Sequence, residues 1–178
     1  MSRISTRLCL AFVAAMLVTT ACTTAGSSTS EPPPLTVQDE AELTAEALVR
    51  LCTGTCSSSD LYVYDALFTG STLAGNEKPM PAETRNAIEA AFPDAILVTM
   101  AEADALFGPD ALVDGGKGAL LSASSIDFLR GDVIGIEIGE VNARDGGHGS
   151  IVQFLWNGET WEPTDSSVTG VTTTSWVS

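Results

Sequence analysis

From Val133 to Gly139 the chain alternates strictly: Ile134, Ile136 and Ile138 are separated by Gly135, Glu137 and Gly139. Side chains on a strand point to opposite faces in turn, so this period marks a strand with one apolar face. Residues 150–156 are the expected partner, with Val152, Phe154 and Trp156 on one face. Asn157-Gly158 follows, and Asn-Gly suits the two positive φ angles of a type I′ hairpin turn. Residues 160–163 then form a short return strand and 171–177 the last one. Such a run needs other elements to cover its apolar face.

The cover lies upstream. Val37, Ala41, Ala45, Leu48 and Cys52 recur at helical spacing, so 37–51 is expected as an amphipathic helix, opened by the capping pair Thr36 and Asp39. Asp39, Glu40 and Glu42 suit the positive end of the helix dipole, and Glu46 with Arg50 forms an i,i+4 pair. A second helix is expected over 82–92, started by Pro81 and stopped before Pro93. Residues 61–69 are aromatic and branched and read as a strand, and 70–81 as a loop. Residues 96–100 are a strand candidate, 101–107 a helical turn and 120–122 a weak strand. Helices first and strands afterwards specify an α+β domain. The expected sheet is antiparallel and curved, of about five strands, with two main helices packed on one face. This order resembles cystatin-like or NTF2-like folds, a likeness of fold that carries no function.

The first residues are of another kind. Arg3 and Arg7 precede an apolar run of 11 residues, 8–18. As a helix this run spans about 16 Å, roughly half the hydrocarbon core of a bilayer. A basic start, a short apolar stretch and then small residues form a secretory signal. The segment Leu17-Val18-Thr19-Thr20-Ala21-Cys22 resembles the lipobox of bacterial lipoproteins, with Thr19 where that family prefers Leu. The resemblance implies cleavage after Ala21, a diacylglyceryl group on the Cys22 thiol, and acylation of the new amine. The mature chain would then be held through these acyl chains at the outer face of the cytoplasmic membrane, where each buried methylene contributes about 0.8 kcal/mol. The alternative is ordinary signal-peptidase cleavage, for instance after Ala25, which releases a secreted protein. The resemblance covers residues 1–22 alone. After it, 23–34 reads TTAGSSTSEPPP, too poor in apolar side chains to fold. It is expected as a tether with a reach of about 20 Å, ahead of one globular domain over 35–178.

Charge narrows the function. The chain carries 8 Lys and Arg against 23 Asp and Glu, a net charge of -15. Loss of residues 1–21 would leave 6 basic residues against 23 acidic ones, or -17. Nucleic acid is excluded as a partner, because phosphate neutralisation needs clustered cations. Anionic lipid heads would repel the domain, so it is expected to stand off the bilayer. One His and four Cys give little material for a metal site, and no cofactor or metal is expected.

The remaining candidates are read against plainer uses. Cys52 and Cys56 are expected to form a disulfide that staples the chain after the first helix, with Gly54 turning the backbone. Three residues separate them where redox pairs have two. The stretches 114–118 (DGGKG) and 145–149 (DGGHG) lack P-loop and calcium-repeat spacing and read as tight loops. His148, with Ser150 and Asp145 close by, lacks the geometry of a hydrolytic triad and reads as a solvated turn residue. Asp94, Glu102, Asp104, Asp110 and Asp114 are dispersed and read as a solvating surface. Glu137 and Glu140 differ in parity and should face opposite sides of one strand. Trp156, Trp161 and Trp176 suit either packing or a sugar platform. No catalytic constellation emerges, and a non-enzymatic accessory domain that binds a basic protein or a cell-wall component is the leading expectation. A secreted inhibitor or immunity-type protein, and a hydrolase built on dispersed carboxylates, are the rivals.

Overall fold

The computed structural model describes residues 31–56, 60–70, 76–144, 146–164 and 174–177. Among these, three α-helices and nine strands form an α+β fold around one mixed, mostly antiparallel sheet. Helix α1 (Val37–Thr55) is followed by β1 (Asp60–Thr69), β2 (Asn76–Pro79), α2 (Ala82–Ala91), β3 (Ile96–Val98) and α3 (Met100–Leu106). Then come β4 (Gly118–Ser124), β5 (Asp127–Arg130), β6 (Val133–Ala143), β7 (Gly146–Trp156), β8 (Trp161–Pro163) and β9 (Thr174–Val177). The main path across the sheet is β2-β1-β4-β6-β7-β8, with β3 on β1, β5 on β6 and β9 on β7. β1 runs parallel to both β3 and β4, so the all-antiparallel expectation is corrected.

Helix α1 begins where the capping residues place it. The Thr36 hydroxyl accepts from the Asp39 amide at 3.1 Å, and the Asp39 carboxylate accepts from the Thr36 amide at 2.8 Å. These bonds satisfy orphan donors of the first turn. Ala41, Leu43, Ala45, Ala47, Leu48 and Leu51 are buried, whereas Val37 is exposed and lies off the apolar stripe. The alanines let the helix lie close to the sheet, over Ile134, Ile136 and Ile138 of β6 and Leu121 and Ala123 of β4. Each fully buried isoleucine contributes about 1.5–3 kcal/mol relative to exposure. Helix α2 adds Ile88 to this core and is tied to β1 by Arg85, which donates to both oxygens of Asp65.

The opposite sheet face is also covered. Val98, Ala103, Val113, Leu120 and Val141 cluster there, with Tyr62, Tyr64, Leu106 and Phe107 packed against them. The two main helices, α1 and α2, share one face as expected, whereas α3, expected as a helical turn, is a third helix on the other face. This double cover explains why β4, expected as three weak residues, is a seven-residue strand buried throughout. It also explains why β6, expected to be half-buried, shows both faces to cores. Two further strands arise in segments too polar or too short to announce themselves. β2 (NEKP) and β5 (DFLR) are exposed at every position, as charged or proline-bearing edge segments commonly are.

Glycines 146, 147 and 149 and His148 belong to β7, paired with Ala143, Val141, Gly139 and Glu140 of β6. Residues 146–149 of the expected tight loop are therefore a strand; the two long strands keep their ladder past the glycines. The 114–116 stretch is a 3-10 turn, as a tight loop requires. The β7–β8 hairpin opens at Trp156 opposite Trp161, leaving four residues outside the pair. Gly158 alone in that turn has positive φ, and the Asn157 side chain accepts from the Glu159 and Thr160 amides at 2.9 Å. This side-chain turn replaces the two-residue type I′ turn.

Candidate functional site

Two places bring together groups that are distant in sequence. The first is a groove of about 310 Å³ between the N-terminal half of α1 and the β7–β8 hairpin. Trp156 and Trp161 are cross-strand neighbours with ring centroids 5.6 Å apart and planes tilted by 57°. Trp161 also packs against the main core, which fixes its position. Asp39, Glu42 and Glu46 come from α1, and Glu159 from the turn. The three helical acids lie along one side because residues three and four apart share a helix face.

These acids differ in what already holds them. Asp39 serves the helix cap, and the Thr36 hydroxyl and amide hold its carboxyl below the usual carboxylate range. Glu42 accepts from the Gln38 amide at 2.6 Å, and Glu46 pairs with Arg50 at 2.8 Å at the exposed surface. Among the described residues no Lys or Arg lines the groove. Pro33 and Leu35 do line it, so the chain enters the fold at its edge. A second groove, bounded by Pro32–Pro34, Phe128 and Asp132, shares Pro33 and Trp156 with the first.

The second place is the C-terminal end of α1. Cys52 and Cys56 are joined as a disulfide with their Cα atoms 4.4 Å apart. The helix continues through Gly54, so the bridge closes its last turn and the expected glycine break is corrected. Cys56 Sγ lies 3.8 Å from Glu140 Oε2. A bridged sulfur has no proton to donate, so this is a packing contact. Glu140 continues the Ile134, Ile136, Ile138 face of β6 and is only 3 % exposed. His148 stands directly across the ladder, with Nε2 3.5 Å from Glu140 Oε2. His148 is therefore a strand residue, mostly covered, and not a solvated turn residue.

The buried Glu140 and its contact with His148 escaped sequence reasoning. The signal was present: the parity that separates Glu137 from Glu140 also places Glu140 on the apolar face. The carboxylate lies between sulfur and imidazole, whereas a nucleophile relay would need the imidazole in the middle. The arrangement is a lock that ties the end of α1 to the β6–β7 hairpin.

The other expected sites are placed as follows. Cys22 and Asp145 lie outside the described residues, as does the side chain of Trp176. Glu102 caps α3 by accepting from the Thr99 amide and hydroxyl, which lowers its pKa. Asp104 lies near Tyr64 and Asp114 near Tyr62; burial first, then these charges, push both phenols up. The Asp110 carboxylate accepts from the Leu112 amide within its own loop. Among the described residues no three metal-ligating side chains converge, and no helix is long and apolar enough to cross a membrane. No family model matches the chain, and no match was found among the curated proteins or the solved structures.

Proposed function

We propose that the chain is an exported lipoprotein, moored through Cys22 at the outer face of the cytoplasmic membrane, whose domain binds a basic partner. The observation that carries the binding role is the groove beside α1, where two tryptophans meet four carboxylates; Glu46 among them pairs with Arg50, and no Lys or Arg is among the described residues that line the groove. The anchor reading rests on the basic start, the apolar run and Cys22, followed by a polar tether. The two readings support each other: Pro33, at the end of the proposed tether, and Leu35, at the start of the domain, both line the groove. A partner seated there would be presented close to the membrane, within the reach of the tether. The net charge of -17 that remains after loss of residues 1–21 favours a basic protein over a neutral cell-wall component, because opposite charge steers encounter.

Mass spectrometry of the mature N-terminus tests the anchor. The expected product begins at Cys22, carries acyl chains and partitions with membranes. A chain found in the medium with an unmodified N-terminus beyond Cys22 overturns it.

A further inference from the structure

The groove beside α1 is specific enough to name what it takes. We propose that it receives an arginine or lysine side chain from an extended segment of a basic protein. The cation would lie against the Trp156–Trp161 pair, among Glu42, Glu46 and Glu159. This rests on the binding role above and adds the ligand chemistry.

Three features select a cationic side chain. Tryptophan is the best aromatic face for a cation, because its ring quadrupole is negative above the plane. The lining then adds carboxylates from two elements, α1 and the β7–β8 turn, around that face. Glu46 already holds the guanidinium of Arg50 at 2.8 Å on the outer rim, so a carboxylate of this wall pairs with arginine within the protein itself. Size agrees: about 310 Å³ admits one long side chain and its flanking backbone. A sugar is less well served. Sugar hydroxyls need donors as well as acceptors, and the polar side-chain groups of the lining are mostly acceptors: four carboxylates, against the Thr160 hydroxyl and the indole N–H groups of Trp156 and Trp161. The second groove, which shares Pro33 and Trp156 with the first and holds the exposed Phe128, extends the path for residues flanking the cation.

The test uses the full chain in detergent and a hexaarginine peptide, titrated by calorimetry at low ionic strength. Overall charge attracts any polycation, so two variants of equal net charge are compared. One replaces Glu42, Glu46 and Glu159 by Gln; the other replaces Glu77, Glu83 and Glu89, on β2 and α2, by Gln. None of the three control acids lines the groove: Glu77 lies on β2, at the opposite end of the main sheet path from β8, and Glu83 and Glu89 lie on α2. The groove variant should bind about tenfold more weakly and the control within about twofold of the parent. Equal weakening in both overturns the proposal, since attraction would then be diffuse. Saturable binding of a neutral N-acetylglucosamine oligomer with no response to hexaarginine also overturns it. All exchanged acids are surface residues, so folding is retained and is checked by circular dichroism. An unacylated N-terminus overturns the anchor and leaves the peptide result standing. Failure to bind the peptide overturns the ligand assignment and leaves the anchor standing.

Discussion

Glu140 shows how one side chain can reverse the meaning of a sequence pattern. An acid at 3 % exposure needs a polar partner, because an uncompensated buried carboxylate is costly. His148 faces it across the ladder, with Nε2 at 3.5 Å and without a hydrogen bond. Replacing His148 by Ala should therefore destabilise the fold by about 1–3 kcal/mol, read as a lower urea midpoint. Glu140→Gln removes the charge and keeps the shape, so combining it with His148→Ala should cost clearly less than His148→Ala alone plus the Gln exchange. Simple additivity would show that the two do not interact.

Thr36 offers a second residue-scale test. Thr36→Ala removes both the cap of α1 and the group that donates to Asp39 at 2.6 Å, and should cost about 1 kcal/mol. The sign of the pH dependence follows from the lowered Asp39 pKa. Its contribution is complete above the unfolded pKa and is lost as pH falls through the folded one. The stability gap between the parent and Thr36→Ala should thus shrink in acid. A gap that widens in acid contradicts the assigned bond.

At the scale of elements, local chemistry is readable and tertiary cover is not. The Thr36–Asp39 cap, the Pro81 start of α2, β1 and the β6–β7 pair were all legible because each is written in neighbouring residues. β4 was underread because Gly118, Ser122 and the alanines look weak until two cores are known to press on the strand. Gly118 makes the point. A Cβ there would lie 2.8 Å from Val113 Cγ1 and 2.9 Å from Tyr62 Cε2, so glycine is what lets the 107–117 segment close over β1. Gly118→Ala should cost about 1–3 kcal/mol through overpacking, measured by thermal unfolding. The disulfide is a different case. It closes a loop of five residues, so replacing both cysteines by Ser should cost only about 2 kcal/mol, with the helix otherwise kept. Circular dichroism that shows loss of most helix would mean the bridge holds the fold together, rather than trimming one helix end.

The groove was half legible from sequence. The tryptophans and acids were visible, but nothing local says that α1 and the β7–β8 hairpin meet, since about a hundred residues of chain separate them. What the sequence does state for the whole molecule is charge: 23 acids against 8 cations. Self-repulsion of like charges opposes the compact state, and salt screens it. The screening length falls from about 30 Å at 0.01 M to about 8 Å at 0.15 M. Salt also weakens the exposed Arg50–Glu46 and Arg130–Asp132 pairs, but such pairs contribute at most about 1 kcal/mol each. Acids outnumber cations nearly three to one, so relief of repulsion should win. Melting temperature should therefore rise between these two salt concentrations, by a few degrees if about 1 kcal/mol is gained. The same salt should weaken hexaarginine binding, because attraction between molecules is screened with the repulsion inside one. Opposite responses of stability and binding to one change of salt would tie both to the acidic surface. A fall in melting temperature would mean that the few ion pairs, and not the excess acids, dominate the electrostatics of this fold.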